Sequence, residues 1–473
     1  MSLLTAFEAK LADLKDHCAS KYPLPALRIG DRTAGLPIVQ GGMGVGISLS
    51  NLAAAVAREG GIGVIAASAI GMLEDDYYDD PTAANVRALR REVREARRKS
   101  EGLLGVNIMV AVDCFHQLLD AAIEEKVDFL FLGAGLPVKG IPLRVIRESG
   151  VKMVPIVSSA RAARLIFKSW EKHYGDFPDA VVVEGPRAGG HLGFRPEQID
   201  RPEFQLERIV PEVIEALREF EARGNRAFPV IAAGGIYSGE DIHRFLALGA
   251  QGVQLATRFV ATTECDADIR FKQAYLSCRE EDIVIIQSPV GMPGRAIHSP
   301  FLAAIARGEK KTFRCPSRCL ESCEAGKARY CISEALDSAR KGDFENGFVF
   351  CGANAHRVQA IVPVRELVAG LKQGYALACF AGALKVEYGK AAEKLKALKE
   401  EYAVTLACVR TKVQDNLRRI AAEKEAWLRE ERARLRERLK QIVDEYAEAR
   451  SRLSELDAEL GFLLSRATSL SAA

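Results

Sequence analysis

Eight short apolar runs alternate with helical patterns between residues 35 and 260. Most of these runs are nearly continuous Val, Ile and Leu, which is typical of strands buried on both faces, as in a parallel sheet. Eight such strands with intervening helices predict an α/β fold, a closed (β/α)8 TIM barrel. We expect the strands at Leu36–Gln40, Gly63–Ser68, Leu103–Val110, Val127–Gly133, Lys152–Ser158, Ala180–Glu184, Pro229–Ala233 and Gly252–Ala256.

An open, doubly wound sheet is the alternative arrangement of the same elements. Gly and polar residues follow almost every predicted strand, and this is where a barrel carries its catalytic loops. The barrel is therefore the favoured fold. We place it at residues 31–262.

Three further segments surround the predicted barrel. Residues 1–30 are expected to hold an N-terminal amphipathic helix, because Met1 to Lys21 interleaves charges with leucines and does not resemble a signal peptide. In residues 263–389 the strand–helix rhythm stops and Gly, Pro and Cys appear, which indicates a cap that completes the barrel. Residues 390–473 are rich in charge and contain no Pro, a composition typical of a long-helical, coiled-coil-like extension.

The extension contains two apolar patterns. Residues from Leu435 to Leu463 follow a heptad seam, whereas those from Tyr402 to Ile420 are closer to an eleven-residue spacing. One continuous helix and a hairpin of two helices both fit these patterns. We expect the extension to mediate homo-oligomerisation or partner binding rather than to pack on its own barrel.

Composition limits the classes of partner. The 66 basic and 63 acidic residues give a net charge of +3, too balanced to indicate binding to nucleic acid or to a membrane surface. The apolar run from Phe129 to Val138 is well short of the roughly 18 residues that a membrane span needs. Eleven cysteines in a chain of 473 residues do not describe a secreted disulfide framework. We expect a cytoplasmic protein.

The most informative local pattern is the loop Glu184–Gly193, which directly follows the sixth predicted strand. Gly189 and Gly190 allow the backbone to approach a ligand closely, and His191 would place a titratable ring beside that ligand. A lone histidine is usually a structural ring, but the flanking glycines favour a functional one. The loop therefore predicts an active site with His191 as its catalytic residue.

Other strand ends carry complementary signals. The first strand runs into Gln40–Gly46, where glycines let the backbone pass against a planar ligand, although a tight turn explains that pattern equally well. The seventh and eighth strands end in Ala232–Ile236 and Gln254–Arg258, and loops at these two positions of a barrel commonly bind phosphate. Asn107 is a polar residue inside the third strand, where its amide suits hydrogen bonding to the edge of a heterocycle, or to a core carbonyl.

Several of these segments carry a family resemblance. The chain resembles the nitronate monooxygenase family, formerly called 2-nitropropane dioxygenases, and is similar to the FMN-dependent enoyl-ACP reductases that share this flavin barrel. The match covers roughly residues 30 to 300. It rests on Pro37–Met43, Gly61–Val64, Gly105–Met109, Gly133–Gly135, Glu184–Gly193, Ala232–Ile236 and Gln254–Phe259.

The resemblance implies a non-covalently bound FMN. Its phosphate would lie on the backbone N–H groups of the seventh and eighth strand ends, including Ala256, where the family usually has a glycine and the backbone donor is retained. His191 would lie beside the flavin ring. The residues implied to bind the cofactor are Gly42, Met43, Asn107, Glu184, Gly189, Gly190, Gly234, Gly235, Gln254, Leu255, Ala256 and Thr257; no metal ligand is assigned.

The resemblance also implies the reaction. The leading expectation is oxidation of small alkyl nitronates with O2, in which His191 would position the nitro oxygens. The first alternative is NAD(P)H-dependent reduction of enoyl thioesters at the same flavin site. The second is a flavin-binding scaffold or sensor with little turnover.

Four cysteines in the predicted cap form the spacing C-x3-C-x3-C-x7-C, at Cys315, Cys319, Cys323 and Cys331. Thiolates at four-residue steps would line one face of a helix, where they suit a metal ion or an iron–sulfur cluster. The spacing matches neither the common zinc pairs nor the usual ferredoxin runs, and Cys is often simply a small buried residue. The pattern leaves both interpretations open.

Overall fold

The structure, a computed structural model, describes residues 17–315, 319–320, 323–420 and 425–470. The chain divides into two compact units. One is Pro23–Tyr375, and the other joins the N-terminal residues up to Tyr22 with residues from Ala376 onward. Residues 17–21 are helical, whereas the rest of the predicted N-terminal helix lies outside the described residues.

A sheet of eight parallel strands forms the centre of the first unit and confirms the predicted TIM barrel. The two end strands of the sheet meet through a parallel bridge between Val39 and Ile62, where Gln40 N donates to Ile62 O at 2.9 Å. This bridge closes the barrel. The barrel strands are β3 (Ile38–Gln40), β4 (Gly63–Ala66), β5 (Leu104–Met109), β6 (Phe129–Gly133), β7 (Lys152–Val157), β8 (Val181–Glu184), β10 (Val230–Ala233) and β11 (Gly252–Leu255).

Helices cover the outside of the barrel because each presents one apolar stripe to the strands. In α5, for example, Ile166, Phe167 and Trp170 are fully buried. Ser159 caps the start of this helix, and Gly175 ends it in a left-handed conformation. The helices that follow the barrel strands are α1 (Ser50–Arg58), α2 (Pro81–Lys99), α3 (Phe115–Glu124), α4 (Leu143–Ser149), α5 (Ala160–Tyr174), α6 (Leu206–Gly224), α7 (Gly239–Ala247) and α8 (Thr257–Val260).

A short antiparallel hairpin precedes the barrel, formed by β1 (Leu27–Ile29) and β2 (Arg32–Ala34). Leu27 and Ile29 are buried in the same apolar cluster as the inward-facing strand residues, among them Phe129 and Val182. The hairpin therefore packs against the core inside the barrel, and the sequence analysis did not predict it.

The cap contains its own antiparallel sheet. Its strands are β12 (Ile283–Gln287), β13 (Pro293–Ile297) and β14 (Val349–Phe350), and they are joined by β9 (Gly190–His191), which comes from the loop after β8. Helices α9 (Ile269–Ser277), α10 (Pro300–Ala306) and α11 (Ile332–Arg340) lie between them in sequence. The end of the predicted active-site loop is thus a strand of the cap sheet.

The second unit contains the charged extension. Helix α12 (Val364–Ile420) begins in the first unit and includes Gly389, the predicted boundary, while α13 (Glu425–Leu470) follows it. The two helices are antiparallel, since Leu384 packs with Leu456 and Leu463, whereas Leu395 packs with Ala449.

The hairpin uses one apolar seam. Among the heptad leucines of α13, Leu453, Leu456 and Leu463 pack against α12; the coiled coil stays a prediction. Tyr402 and Leu417, which suggested an eleven-residue spacing, are exposed. The expected association through these helices stays a prediction.

A hydropathy search of the described residues finds one helix, Val364–Leu417, that is long and apolar enough to cross a membrane. The sequence analysis overlooked this stretch. It is weak support for a membrane span, because a core helix of a soluble protein passes the same test.

Close packing of α1 on β4 depends on Gly63. A Cβ atom at this position would lie 1.9 Å from Ala53 O. We expect Gly63→Ala to destabilise the barrel by about 1–3 kcal/mol, since the backbone must shift to relieve the overlap. Thermal unfolding followed by circular dichroism measures this effect as a lower Tm.

The matched control is Gly370→Ala. Gly370 lies in α12, and a Cβ atom there would meet no heavy atom within 4 Å. This variant should match or exceed the wild-type Tm, because alanine favours helix over glycine. An unchanged Tm for the Gly63 variant would contradict the close packing described here.

Candidate functional site

One cavity of about 310 Å3 opens at the carboxyl ends of the barrel strands, on the side that the cap covers. This is the end at which TIM barrels carry their active sites. All the residues assigned to a site from the sequence line this single cavity, although their roles stay predictions. They are Gly42, Met43, Asn107, Glu184, Gly189, Gly190, His191, Gly234, Gly235, Gln254, Leu255, Ala256 and Thr257.

The His191 ring is held by two contacts from the cap. Its Nε2 lies 2.8 Å from the hydroxyl of Ser288, which is almost fully buried. Its edge meets the ring of Phe350, with centroids 5.1 Å apart at 65°. Because Phe350 also lines the cavity, the imidazole is fixed at the cavity wall.

Burial lowers the pKa of His191 from 6.5 to about 4. An unperturbed imidazole titrates near pH 6.5, but here the surrounding protein disfavours the charged imidazolium. At pH 7 His191 is neutral and accepts a hydrogen bond or a proton at one ring nitrogen.

Glu184 occupies the carboxyl end of β8 and faces the cavity. Burial alone raises the pKa of this carboxyl from 4.5 to about 7. Within the described residues the side chain has no hydrogen-bond or ion-pair partner. A neutral carboxyl group can donate a hydrogen bond, which an ionised carboxylate cannot.

A buried arginine of the cap holds the loop between Glu184 and His191. Arg295, on β13, donates from Nη1 to Pro186 O at 2.7 Å and to Ala188 O at 2.6 Å. Gly189 allows a second close approach, because a Cβ atom there would lie 2.7 Å from the carbonyl carbon of Cys351. The conformation of this loop therefore depends on the cap.

Asn107 satisfies a core carbonyl and also borders the cavity, while its hydrogen bond to a heterocycle stays a prediction. Its amide Nδ2 donates to Phe131 O at 3.2 Å, so one end of the side chain satisfies a core carbonyl. The same residue lines the cavity. Gly42 packs directly on it, since a Cβ atom at Gly42 would lie 2.5 Å from the Asn107 Cβ. A larger residue than glycine would therefore overlap with Asn107 at this point of the wall.

The ends of β10 and β11 provide backbone donors. Gly234 and Gly235 have φ angles of +92° and +85°, which glycine adopts without strain. Across the described ranges, the N–H groups of Gly234, Gly235 and Ala256 donate no hydrogen bond. Thr257 Oγ1 accepts from Gly352 N at 3.0 Å, so the cap is tied to the end of β11 as well.

These features fit an FMN molecule. Unpaired N–H groups at two neighbouring strand ends match a phosphate, and the wall at Gly42, which has no side chain, leaves room for a planar ring. The protonatable carboxyl of Glu184 lines the same cavity as a further hydrogen-bonding group. Bound there, the flavin would be held by Gly234, Gly235 and Ala256 at one end and by Asn107 and Glu184 at the other.

Three of the four cap cysteines line this cavity or a small pocket beside it. Cys319 lines the cavity, and Cys315, Cys319 and Cys331 line a small neighbouring pocket. Burial raises the pKa of the Cys319 thiol to about 11. Among the residues that the structure describes, no three His, Cys, Asp or Glu side chains are arranged to hold a metal ion.

Sequence reasoning missed the supporting residues of the site. Ser288 and Arg295 carry no local motif, because their contacts depend on pairing of β13 with β9. Asn354 is a further supporting residue from the cap, since its Nδ2 donates to Gly235 O at 2.7 Å.

Comparison with known proteins gives consistent results. The sequence profile of the nitronate monooxygenase family matches residues 30–374. Probable nitronate monooxygenases from Staphylococcus aureus strains MSSA476 and MRSA252 are each 26% identical over 298 residues, which is 58% of this chain and 78% of the relative.

Solved structures extend the comparison. FabK from Thermotoga maritima is 30% identical with a TM-score of 0.55, over 72% of this chain and 92% of FabK. A nitroalkane oxidase from Streptomyces ansochromogenes has a TM-score of 0.57 over 74% of this chain and 98% of its own. At 23% identity, the latter similarity shows the fold alone.

The raised pKa of Glu184 predicts a pH-dependent stability. Since the folded chain binds this proton more tightly than the unfolded chain does, the contribution of Glu184 is fully present below about pH 4.5 and is lost as pH rises through about 7. Glu184→Gln removes this dependence. The free energy of unfolding of the flavin-free variant, taken relative to that of wild type, should therefore increase by up to about 3 kcal/mol from pH 5 to pH 8.

Urea unfolding at both pH values measures the difference. Glu212→Gln, on an exposed position of α6, is the matched control and should follow wild type at both. If the free energy of unfolding of Glu184→Gln differs from that of wild type by the same amount at pH 5 and pH 8, this carboxyl does not titrate in that range.

Proposed function

The chain belongs to the nitronate monooxygenase family, whose members are flavin-dependent oxidoreductases, and from this premise we propose that it binds FMN and oxidises small alkyl nitronates with O2. The observation that carries the proposal is the position of His191. Its ring borders the same cavity as the glycine wall and the backbone donors that fit the flavin. A flavin and a nitronate can therefore both contact this cavity while His191 contacts the substrate.

Bound flavin would supply the redox chemistry, because it accepts electrons from an electron-rich carbon and passes them to O2. The chain binds and orients the reactants. Gly42 and Asn107 would form the wall against which the flavin ring packs.

His191 contributes through its neutral ring. Ser288 and Phe350 fix the ring in one orientation, so little entropy is lost when it contacts a substrate. Because its pKa is depressed to about 4, the imidazole stays neutral throughout the neutral range and acts through hydrogen bonds rather than as a strong base. Burial also keeps bulk water away from the reacting atoms.

A second candidate is NAD(P)H-dependent reduction of an enoyl thioester. One observation favours it. The cavity extends beyond the predicted flavin residues to an apolar wall that an acyl chain would contact, formed by Leu118, Leu320, Ile332 and Leu336. A small nitronate leaves this wall largely unused.

Anaerobic reduction of the FMN-loaded protein distinguishes the candidates. Rapid bleaching of the flavin absorbance by propyl-2-nitronate supports the proposed function, whereas bleaching by NADH or NADPH supports the second candidate. Bleaching by neither indicates a flavin-binding protein with little turnover. A purified protein that fails to bind FMN would contradict the whole assignment.

We expect His191→Ala to lower nitronate turnover by about 100- to 10,000-fold, the usual contribution of a positioned acid–base group, while the yellow colour is retained. The reason is that His191 faces the substrate, whereas the cradle for the flavin is made by other residues. Steady-state oxygen uptake and the flavin absorbance spectrum provide the two measurements.

His298→Ala is the control, because His298 is exposed on the cap and does not line the cavity. This variant should turn over at the wild-type rate. Unchanged turnover in the His191 variant would remove this residue from the mechanism.

A further inference from the structure

We propose that Arg187 recognises the phosphate of the bound flavin and makes the site selective for a flavin phosphate over a flavin that lacks one. This inference rests on the proposed function. It assigns to a side chain a task that the sequence analysis gave to backbone N–H groups alone.

The position of Arg187 supports this role. The residue lines the cavity at the end of β10. A Cβ atom built on Gly235 would lie 2.8 Å from the Arg187 Cβ and 3.2 Å from its Cδ, so the arginine stem packs against the backbone at Gly235. The backbone of Arg187 is fixed as well, because Ala353 N donates to Arg187 O at 3.1 Å.

The guanidinium of Arg187 is available to a ligand. Within the described residues it forms neither an ion pair nor a hydrogen bond, although arginines elsewhere in the barrel, such as Arg147 and Arg226, are paired with carboxylates. A side chain that carries five donors and faces a cavity without an acceptor is suited to bind a ligand there.

A second arginine makes the local charge more positive. Arg295 is buried and bonds the carbonyl groups of Pro186 and Ala188, which flank Arg187 on either side. Burial lowers the pKa of Arg295, and the like charge of Arg187 acts in the same direction. Two cations beside one short loop repel each other, and a phosphate dianion between the loop and the strand ends would offset that repulsion.

The chemistry of the two donor types is complementary. Backbone N–H groups at Gly234, Gly235 and Ala256 supply directed hydrogen bonds, while a planar guanidinium supplies charge and can bond two phosphate oxygens at once. A riboflavin molecule would reach the ring-binding wall but would leave Arg187 without a partner. Arg187 should therefore strengthen the binding of FMN but not that of riboflavin.

The experiment is a binding titration on the full chain after removal of bound flavin. Quenching of flavin fluorescence gives the Kd for FMN and, separately, for riboflavin. For Arg187→Ala we expect the Kd for FMN to rise by about 10- to 100-fold, typical for loss of a charge-assisted hydrogen bond, while the Kd for riboflavin stays within about twofold. Arg187→Lys retains the positive charge but lacks the planar guanidinium. Its Kd for FMN should therefore lie between the values for the wild type and for Arg187→Ala.

Arg208→Ala is the matched control, because Arg208 is an exposed arginine on α6 that does not line the cavity. It should leave both dissociation constants unchanged. Inorganic phosphate should compete with FMN in the wild type and much less in Arg187→Ala, since the competing anion uses the same guanidinium.

Two outcomes would overturn the inference. One is an unchanged Kd for FMN in Arg187→Ala; the other is an equal loss of FMN and riboflavin binding, which would indicate a role in the shape of the cavity. Failure of the proposed function looks different, because the wild type would then bind neither flavin or would bind FMN without oxidising nitronates.

Discussion

Closure of the barrel is the interaction on which the rest of this structure depends. The parallel bridge between Val39 and Ile62 joins the two strands that an open sheet would leave as edges. Closure places all eight carboxyl ends on one rim, and Asn107, Glu184 and Gln254 come from three different strands of that rim. The cavity exists because these ends meet around a common axis, and the cap then covers it.

The barrel strands could be predicted from sequence because the signal is local. A strand buried on both faces must be apolar throughout, as in Val181–Glu184 before its terminal carboxylate, and this pattern is visible without knowledge of its neighbours. The cap strands give no such signal. Strands β9 and β14 have two residues each, and their pairing with β13 joins segments far apart in the chain. The seam of the extension was visible as a heptad, but the choice between a single helix and a hairpin was not, because charge-rich turns carry no distinctive residue.

The residues of the candidate site also fall into two groups, those with a local sequence signal and those placed by tertiary pairing. Residues at strand ends were predictable, since the barrel itself assigns them a location and a direction. Ser288 and Arg295 act through contacts with His191 and with the loop before it, and those contacts follow from tertiary pairing alone. The neutral state of His191 was also not predictable, because burial is a property of the fold and the residue type by itself suggests a ring that titrates near pH 6.5.

Strand β9 connects the chemistry of the site with the mechanics of the cap. Residues Gly190 and His191 pair with Arg295 and Gly294 of the cap sheet, so a movement that lifts this sheet from the barrel must either break that pairing or carry the imidazole with it. Any such movement would also change the contacts of the imidazole with Ser288 and Phe350. Pairing of β9 with β13 therefore couples the position of the imidazole to the position of the cap sheet.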